Sequence, residues 1–425
     1  MSEHSKIIAG LEIGTSKVCI VVGERNPDGA LNIIGVGQAH SRGVRKGEII
    51  NLEQVAEDLR AAIFEVEQMA DVEIRSVYLG VTGGHIRGFN NRGVLPVVST
   101  DREISQEDVE DVVKIANAIN LPAENTVIHT VRQHFNVDGQ GGVTDPVGML
   151  GARLEVDMHV IHGQTYRLQN VIRLVRATGI KVDDVVFNGM ASSLALLTNE
   201  QKELGALVID IGGGTTEYVA YSDGVVRHSG VLAVGGDHVS NDLAYGLKIS
   251  LSRAEKLKIE HGSALVTEAA KGQTISITNE LGYERKRIKV EHLQIIMSLR
   301  QEEIFKLIEQ DLEQAGLTNY LRAGVFLCGG SSRVPGIVTL AENVFQMNVT
   351  TGHAIAISGL ADTLNQPEFT TAIGLVKYGA LRHLKKPPSL SFLGQIKELV
   401  AKIAAILKGI FKPDSTKQDN TMNPS

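Results

Sequence analysis

"ALVIDIGGGTTEYVAYSDG", residues 206–224, is the stretch that decides the fold. An apolar run leads to Asp210, three glycines follow, and a second apolar run ends at Asp223 and Gly224. This pattern predicts two strands joined by a tight turn. Glycines let backbone N–H groups approach an anion, and a carboxylate at a strand end can hold hydrated Mg²⁺. The hairpin therefore indicates a phosphate and metal site, with a plain glycine turn as the structural alternative.

The same scheme occurs a second time, in "AGLEIGTSKVCIVVGERNPDG" at residues 9–29. Here Glu12 takes the place of the carboxylate, and Gly14, Thr15 and Ser16 follow it. A third glycine turn lies in "AGVFLCGGSSRVPGI", residues 323–337. Two such hairpins far apart in the chain predict duplicated halves that close on one ligand. The spacings GxxxxGK[ST] of the P-loop and GxGxxG of the Rossmann fold are absent, so neither of these common nucleotide motifs offers another explanation.

Composition limits the class of protein. The chain has 425 residues, of which 43% are hydrophobic and 21% charged, which is typical of globular proteins of two or more domains. The net charge of −7 argues against a general nucleic-acid binder. Cys19 and Cys328 fall on predicted buried strands, which favours a reducing cytoplasm. The early first strand leaves no room for a signal peptide, and no apolar run reaches the roughly 20 residues of a membrane span.

Alternating strands and helices predict an α/β protein with an insert in its first half. The insert reads as strand, helix, strand, strand, and its helix begins at the N-cap Ser105. Another helix is predicted to open with a capping box from Ser252 to Glu255. The predicted domains are a first core half (1–83 and 166–200), the insert (84–165), a second core half (201–226 and 301–384), its smaller subdomain (227–300), a linker (385–390), an amphipathic helix (391–412) and a disordered tail (413–425).

The segment "SFLGQIKELVAKIAAILKGIFK", residues 391–412, has the pattern of a helix that lies in a bilayer interface. Its predicted membrane residues are the apolar Leu393, Ile396, Leu399, Val400, Ile403, Leu407, Ile410 and Phe411 and the basic Lys397, Lys402, Lys408 and Lys412. The alternative is a terminal helix packed on the protein's own core. The preceding prolines, the lysines and the polar tail favour anionic membrane lipid.

Five motifs in this order resemble the actin, Hsp70 and sugar-kinase superfamily. They are the phosphate hairpins at 11–17 and 209–217, the connecting segments "FNGMASSLALL" (187–197) and "FTTAIGLVKYGAL" (369–381), and the adenosine segment "CGGSSRVPG" (328–336). The resemblance covers nearly the whole chain. It implies an actin-like ATPase fold, with two duplicated α/β halves around a nucleotide cleft.

Within that superfamily the chain resembles the FtsA family of bacterial cell division proteins. Three features carry this resemblance: Glu12 where most relatives have Asp, the insert at 84–165, and the basic amphipathic end. It implies an ATP-binding, self-associating adaptor that anchors the FtsZ ring to the cytoplasmic face of the inner membrane at the septum. Its implied partners are FtsZ, further copies of itself in a homopolymer, anionic lipid, and later division proteins through the insert.

The resemblance also assigns residues to the cleft. Those facing ATP would be Gly14, Thr15, Ser16, Lys17, Asp210, Gly212, Gly213, Gly214, Thr215, Thr216, Glu255, Lys256, Gly329, Gly330 and Ser331. The two hairpins would clamp the β and γ phosphates, Glu255 and Lys256 would line the ribose and adenine edge, and residues 329–331 would pack under the adenine. Asp210 would hold Mg²⁺ through water, with help from Glu12.

The expected catalytic power is weak. Actin-like ATPases place Glu or Gln early in the first connecting segment, whereas this chain has Asn188, which is a poor general base. We therefore expect ATP binding with slow or negligible turnover and assign no catalytic residue. A sugar or acetate kinase is the alternative, although no further acid stands out as the base it would need. FtsZ is expected to bind the subdomain at 227–300, beside the basic run Arg285, Lys286, Arg287 and Lys289.

Overall fold

The structure is a computed structural model that describes residues 6–26, 30–278, 284–355, 357–359 and 366–385. The chain divides into two units, Met1–Ala380 and Leu381–Ser425. Lys385 is the last described residue, so the rest of the predicted linker, the amphipathic helix and the tail lie outside the described residues. Within the described residues, no helix has the length and apolar character needed to cross a membrane.

The helices and strands alternate along the chain. The strands are β1 (Lys6–Ile13), β2 (Lys17–Arg25), β3 (Leu31–His40), β4 (Val44–Arg45), β5 (Glu48–Ile49), β6 (Ser76–Val81), β7 (Arg87–Pro96), β8 (Asn125–Val137), β9 (Gln140–Val143), β10 (Arg153–Gln164), β11 (Lys181–Phe187), β12 (Ala206–Ile211), β13 (Thr216–Ser222), β14 (Val225–Leu232), β15 (Thr274–Thr278), β16 (Glu284–Lys289), β17 (Gly324–Cys328), β18 (Val349–Thr351) and β19 (Ser358–Gly359). The helices are α1 (Leu52–Ala70), α2 (Gln106–Asn117), α3 (Thr165–Ala177), α4 (Asn188–Leu196), α5 (Asn199–Leu204), α6 (Gly236–Leu247), α7 (Leu251–His261), α8 (Val290–Gln314), α9 (Ile337–Phe345) and α10 (Thr370–Lys385).

Two large sheets repeat one topology, which confirms the predicted α/β duplication. The first sheet has the strand order β11-β6-β1-β2-β3-β19, and the second has β14-β13-β12-β17-β18. In each, a three-stranded antiparallel meander is extended by two strands parallel to its first strand. Parallel neighbours require crossover connections, and helices α1, α3, α8 and α9 lie in those connections.

Helix α1 shows how the sequence builds one such crossover. The side chain of Asn51 accepts a hydrogen bond from the backbone N–H of Gln54 and so caps the helix start. Its buried residues recur at spacings of three and four, which places one apolar stripe against the sheet. The packing on β3 is close, since a Cβ on Gly35 would lie only 2.8 Å from the Cβ of Ala70. The helix therefore needs glycine on the strand beneath it.

The insert forms a sheet of its own, in the order β7-β10-β8-β9, with α2 packed on β7 and β10. Ser105 caps α2 through a capping box with Asp108, as the sequence predicts. The capping box predicted from Ser252 to Glu255 is wrong. Helix α7 begins at Leu251, and the Glu255 carboxylate instead accepts hydrogen bonds from Ser240 and Lys258.

The insert lies within the first half of the fold in sequence, but it also packs against β14 of the second sheet. His159 lies in this contact, fully buried, with Nε2 2.7 Å from Ser229 Oγ and Nδ1 2.8 Å from Asn90 Oδ1. Gln133 donates a hydrogen bond to the backbone carbonyl of Val226 at 2.7 Å. Polar groups of the insert are thus paired with the second half rather than left unsatisfied.

Candidate functional site

The turns of the two glycine hairpins face each other across a cleft. Each turn is closed by an equivalent backbone hydrogen bond: Gly14 N–H donates to Lys17 at 2.9 Å, and Gly212 N–H donates to Thr215 at 2.9 Å. The turns are close, because a Cβ on Gly213 would lie 3.2 Å from Ser16 Cβ. The structure therefore brings together two turns that are far apart in the sequence.

A cavity of about 700 Å³ lies between these turns. Most of the predicted site residues line it: Glu12, Gly14, Thr15, Ser16, Lys17, Asp210, Gly212, Gly213, Gly214, Thr215, Glu255, Gly329, Gly330 and Ser331. Its volume is within the range of pockets that hold small-molecule ligands and cofactors. The floor joins the hairpins to the third glycine turn, because the Ser331 hydroxyl donates to the carbonyl of Gly212 at 3.2 Å.

Two predicted residues do not line this cavity. Thr216 is buried on β13, where its hydroxyl donates to the carbonyl of Val234 at 2.8 Å. The exposed Lys256 lies 3.7 Å from Glu260 on the same helix. Lys258 lines the cavity wall instead, and its ammonium donates to the carbonyl of Gly236 at 3.1 Å. Residues two positions apart on a helix point to roughly opposite faces, so a two-residue difference decides which lysine reaches the cleft.

Lys17 lines the cavity, but its ammonium is held by the segment that leads into α10. It donates to the backbone carbonyl of Glu368 and lies 4.3 Å from the ring centroid of Phe369. The Glu368 carboxylate in turn pairs with Arg333 at 2.6 Å. These contacts tie the first hairpin to the start of α10, which packs on the first sheet.

Carboxylates from both hairpins meet in the cleft. Asp210 is buried, and its Oδ2 accepts hydrogen bonds of 2.6 Å from Ser192 and from Thr371. Burial raises the pKa of Glu12 to about 7, against the opposing effect of Lys17. Burial, followed by the Asp210 charge, raises the pKa of Glu217 above its ordinary value. Such raised values are expected where acids share a cleft of low polarity.

Glu217 and Thr82 are cleft residues that the sequence reasoning missed. The Thr82 hydroxyl donates to the Glu217 carboxylate, and both residues line the cavity. Glu217 pairs directly with Asp210 in the antiparallel register of β12 and β13. A strict hairpin register around the glycine turn would have predicted this pairing. No local sequence pattern pointed to Thr82. It follows β6, which reaches the cleft only because β6 pairs in parallel with β1.

The cleft fits a nucleotide with its metal ion. Among the described residues, four buried acceptor atoms on the cavity wall lack a hydrogen-bond partner: Glu12 Oε2, Asn188 Oδ1, Gln301 Oε1 and Glu368 Oε2. Glycine turns without side chains offer N–H groups to phosphate oxygens. Phosphates beside carboxylates need a cation between them, which Mg²⁺ supplies through water. In the described part of the chain, no three His, Cys, Asp or Glu side chains gather closely enough to hold a metal directly.

Comparison with known proteins identifies the family. A family model described as cell division protein FtsA matches residues 207–374, and one described as an SHS2 domain inserted in FtsA matches residues 83–162. Cell division protein FtsA of Pseudomonas aeruginosa is 38% identical over 377 residues, which cover 89% of this chain and 90% of that protein. The chain belongs to the FtsA family. FtsA of Escherichia coli K12 is 37% identical over 386 residues, covering 89% of this chain and 91% of its own.

Solved structures confirm the actin-like fold of this FtsA family member. The PilM-PilN type IV pilus biogenesis complex contains a chain that superposes with a TM-score of 0.62 at 17% identity, covering 89% of this chain and 99% of its own. MreB5 of Spiroplasma citri bound to ADP gives a TM-score of 0.54 at 15% identity, covering 90% and 99%. The FtsA relatives are cell division proteins, so the kinase alternative is not favoured.

Proposed function

We propose that this FtsA family member binds Mg-ATP in the cleft, self-associates and anchors the FtsZ ring to the cytoplasmic face of the inner membrane. The observation that carries the nucleotide part is the pair of facing turns, each closed by the same hydrogen bond from its first glycine. Asp210 lines the cavity together with both turns. One carboxylate could therefore hold the Mg²⁺ of a phosphate chain that both turns bind.

In this proposal the chain's own residues orient the phosphates. N–H groups of the turns at Gly14 and Gly212 would bind the phosphate oxygens, and Thr15 and Thr215 would add hydroxyl donors. Mg²⁺ bound through water to Asp210 would neutralise the phosphates beside the acids. Lys258 and Glu255 would contact the ribose side.

We expect slow ATP hydrolysis. Asn188 lines the cavity at the start of α4, and its buried Oδ1 lacks a partner among the described residues. An amide can orient a water molecule but cannot accept its proton. Asn188→Glu should therefore raise the rate of phosphate release, and Asn188→Gln, which restores the longer amide found in actin-like ATPases, should raise it less.

FtsZ is proposed to bind the subdomain at 227–300. There, the ribbon of β15 and β16 precedes α8, and Ile277 and Ile288 bury its inner face. The basic run lies on β16; Arg285 and Lys286 have side chains outside the described residues. A short acidic or mixed-charge peptide would find cations and a strand edge here. Later division proteins are proposed to bind the insert.

Co-sedimentation tests this function. FtsZ polymers, vesicles containing anionic lipid and the full chain with Mg-ATP should pellet together, and FtsZ should not reach the vesicles without the chain. Arg285→Glu with Arg287→Glu should abolish FtsZ binding but leave vesicle binding. Lys256→Glu with Lys271→Glu reverses the same number of charges on exposed residues of this subdomain and is the matched control. Equal FtsZ binding by both double variants would contradict the proposed surface.

A further inference from the structure

Gln301 is a buried amide that the nucleotide site does not yet explain. It lies on α8 with 5% of its surface exposed, and it lines the main cavity. Its Oε1 atom is buried and accepts no hydrogen bond from any described residue. A buried acceptor without a partner costs about 1–3 kcal/mol, so such an atom in a folded protein calls for an occupant.

Gln294 shows what a satisfied amide looks like on the same helix. It lies two turns earlier on the same face of α8 and is also 5% exposed. Its Oε1 accepts a hydrogen bond of 2.9 Å from the backbone N–H of Thr267, and its Nε2 donates to the carbonyl of His261 at 3.3 Å. The fold thus supplies partners for one buried glutamine and leaves the acceptor of the other, which lines the cavity, without one.

The surroundings of Gln301 match the base of a nucleotide rather than its phosphates. The apolar side chains of the cavity wall all come from the second half: Val239, Ile259, Val334 and Pro335. They lie on α6, on α7 and in the segment after the third glycine turn, and α8 packs against both α6 and α7. A flat aromatic ring suits these apolar side chains, whereas the glycine turns suit phosphates.

We propose that Gln301 reads the base of the bound nucleotide, its Oε1 accepting a hydrogen bond from the exocyclic amine of adenine. This inference rests on the proposed nucleotide binding. Adenine presents an amine donor beside the ring acceptor N7, which is the arrangement that a glutamine amide complements. Guanine presents a carbonyl oxygen at the same position, so it offers no donor to Oε1 there. Gln301 is thus a specificity-determining residue for ATP over GTP.

The test removes the two partners of this hydrogen bond separately: the amine donor from the nucleotide, and the Oε1 acceptor from the protein. The probes are Mg-ATP and the Mg complex of purine riboside triphosphate, which lacks only the amine. The full-length wild-type chain should bind ATP tighter by about tenfold or more, as expected for one buried hydrogen bond. In Gln301→Met this ratio should fall to near one. Gln301→Glu keeps an acceptor and should keep the preference.

Gln294→Met is the matched control, because it removes an amide from the same helix face away from the cavity and should leave the ratio unchanged. An unchanged ratio in Gln301→Met would overturn the inference. Equal binding of both nucleotides by the wild type would overturn it without any variant, even if Gln301→Met did not fold. A wild-type chain that binds neither nucleotide would instead remove the proposed function, and this inference with it.

Discussion

Thr371 and Asp210 lie 161 residues apart in the chain and are joined by a hydrogen bond of 2.6 Å from the threonine hydroxyl to Oδ2. Ser192 donates to the same oxygen at 2.6 Å. Helices α4 and α10, one from each connecting segment, therefore both orient the carboxylate that we assign to Mg²⁺. Orientation of a metal-binding carboxylate by its hydrogen-bond donors commonly matters as much as the ligand itself.

Thr371→Val should weaken Mg-ATP binding by about tenfold, because one of the donors that orient Asp210 is lost. Asp210→Ala should abolish tight binding. Thr370→Val is the control, since the neighbouring hydroxyl is buried without a partner among the described residues. Calorimetry with and without Mg²⁺ measures the effect, and equal affinities in the Thr371 and Thr370 variants would contradict this role.

Gly214→Ala should push the two hairpins apart. A Cβ at this position would overlap the Thr15 hydroxyl and lie 2.8 Å from the backbone of Lys46. We expect the variant to lose about 1–3 kcal/mol of stability and most of its nucleotide affinity. Gly141→Ala is the control, because its nearest neighbour would be 3.7 Å away. Thermal denaturation and nucleotide titration measure both effects; wild-type affinity in Gly214→Ala would show that the turns need not approach each other.

Glu12 should make the nucleotide-free protein less stable as the pH rises. Its pKa is raised from 4.5 to about 7, so between these values the folded chain keeps a proton that the unfolded chain releases. The free energy of unfolding therefore falls across this window and changes little beyond it. The loss should be on the order of 2 kcal/mol, after allowance for solvent around the partly exposed side chain.

Glu12→Gln should remove this pH dependence, because the amide does not titrate. Chemical denaturation of nucleotide-free protein at several pH values between about 4.5 and 7.5 measures the slope that the linkage predicts. Glu53→Gln is the control, since Glu53 is exposed in the first turn of α1. Parallel curves for the wild type and Glu12→Gln would contradict the assigned burial effect.

Ser229→Ala should loosen the contact between the insert and β14. It leaves Nε2 of the fully buried His159 without its partner, at a cost of about 1–3 kcal/mol. Burial lowers the pKa of His159 to about 3, so the folded chain cannot take up the proton that the unfolded histidine binds below pH 6.5. Stability from this site is therefore lost as the pH falls below that value.

Denaturation at neutral pH compares Ser229→Ala with Ser99→Ala, an exposed serine of the insert. The first variant should unfold at a lower denaturant concentration, and the second should match the wild type. Hydrogen exchange should rise on the insert strands of Ser229→Ala. Unchanged stability and exchange would show that the histidine contact does not hold the insert to the second half.

Ile403→Glu should release the chain from anionic vesicles while Mg-ATP binding persists. The substitution places a charge at the centre of the apolar face predicted for residues 391–412, which lie outside the described residues. Interfacial helices bind through partly buried apolar area plus about 1 kcal/mol per lysine near anionic lipid. Thr416→Glu adds the same charge in the polar tail and should pellet like the wild type. Retained pelleting of Ile403→Glu, or of a chain ending at Pro388, would contradict the anchor.

The sequence by itself determined the hairpins and the duplication. Each turn consists of consecutive residues, so local glycine conformation and strand pairing place Gly14 and Gly212 without help from the rest of the chain. The match of two hairpins then predicted the repeated sheets, and the N-cap of α2 at Ser105 followed from the local preference of serine for that position. These features depend on interactions between near neighbours, which sequence patterns record directly.

Tertiary structure decided which side chains reach the cleft. Gln301 enters it because α8 packs against α6 and α7. Lys258 rather than Lys256 lines the wall because the angle at which α7 packs selects one helical face. The insert meets β14 through His159, a contact between segments of opposite halves. None of these follows from local pattern, because each depends on how distant elements pack to bury apolar surface and pair polar groups.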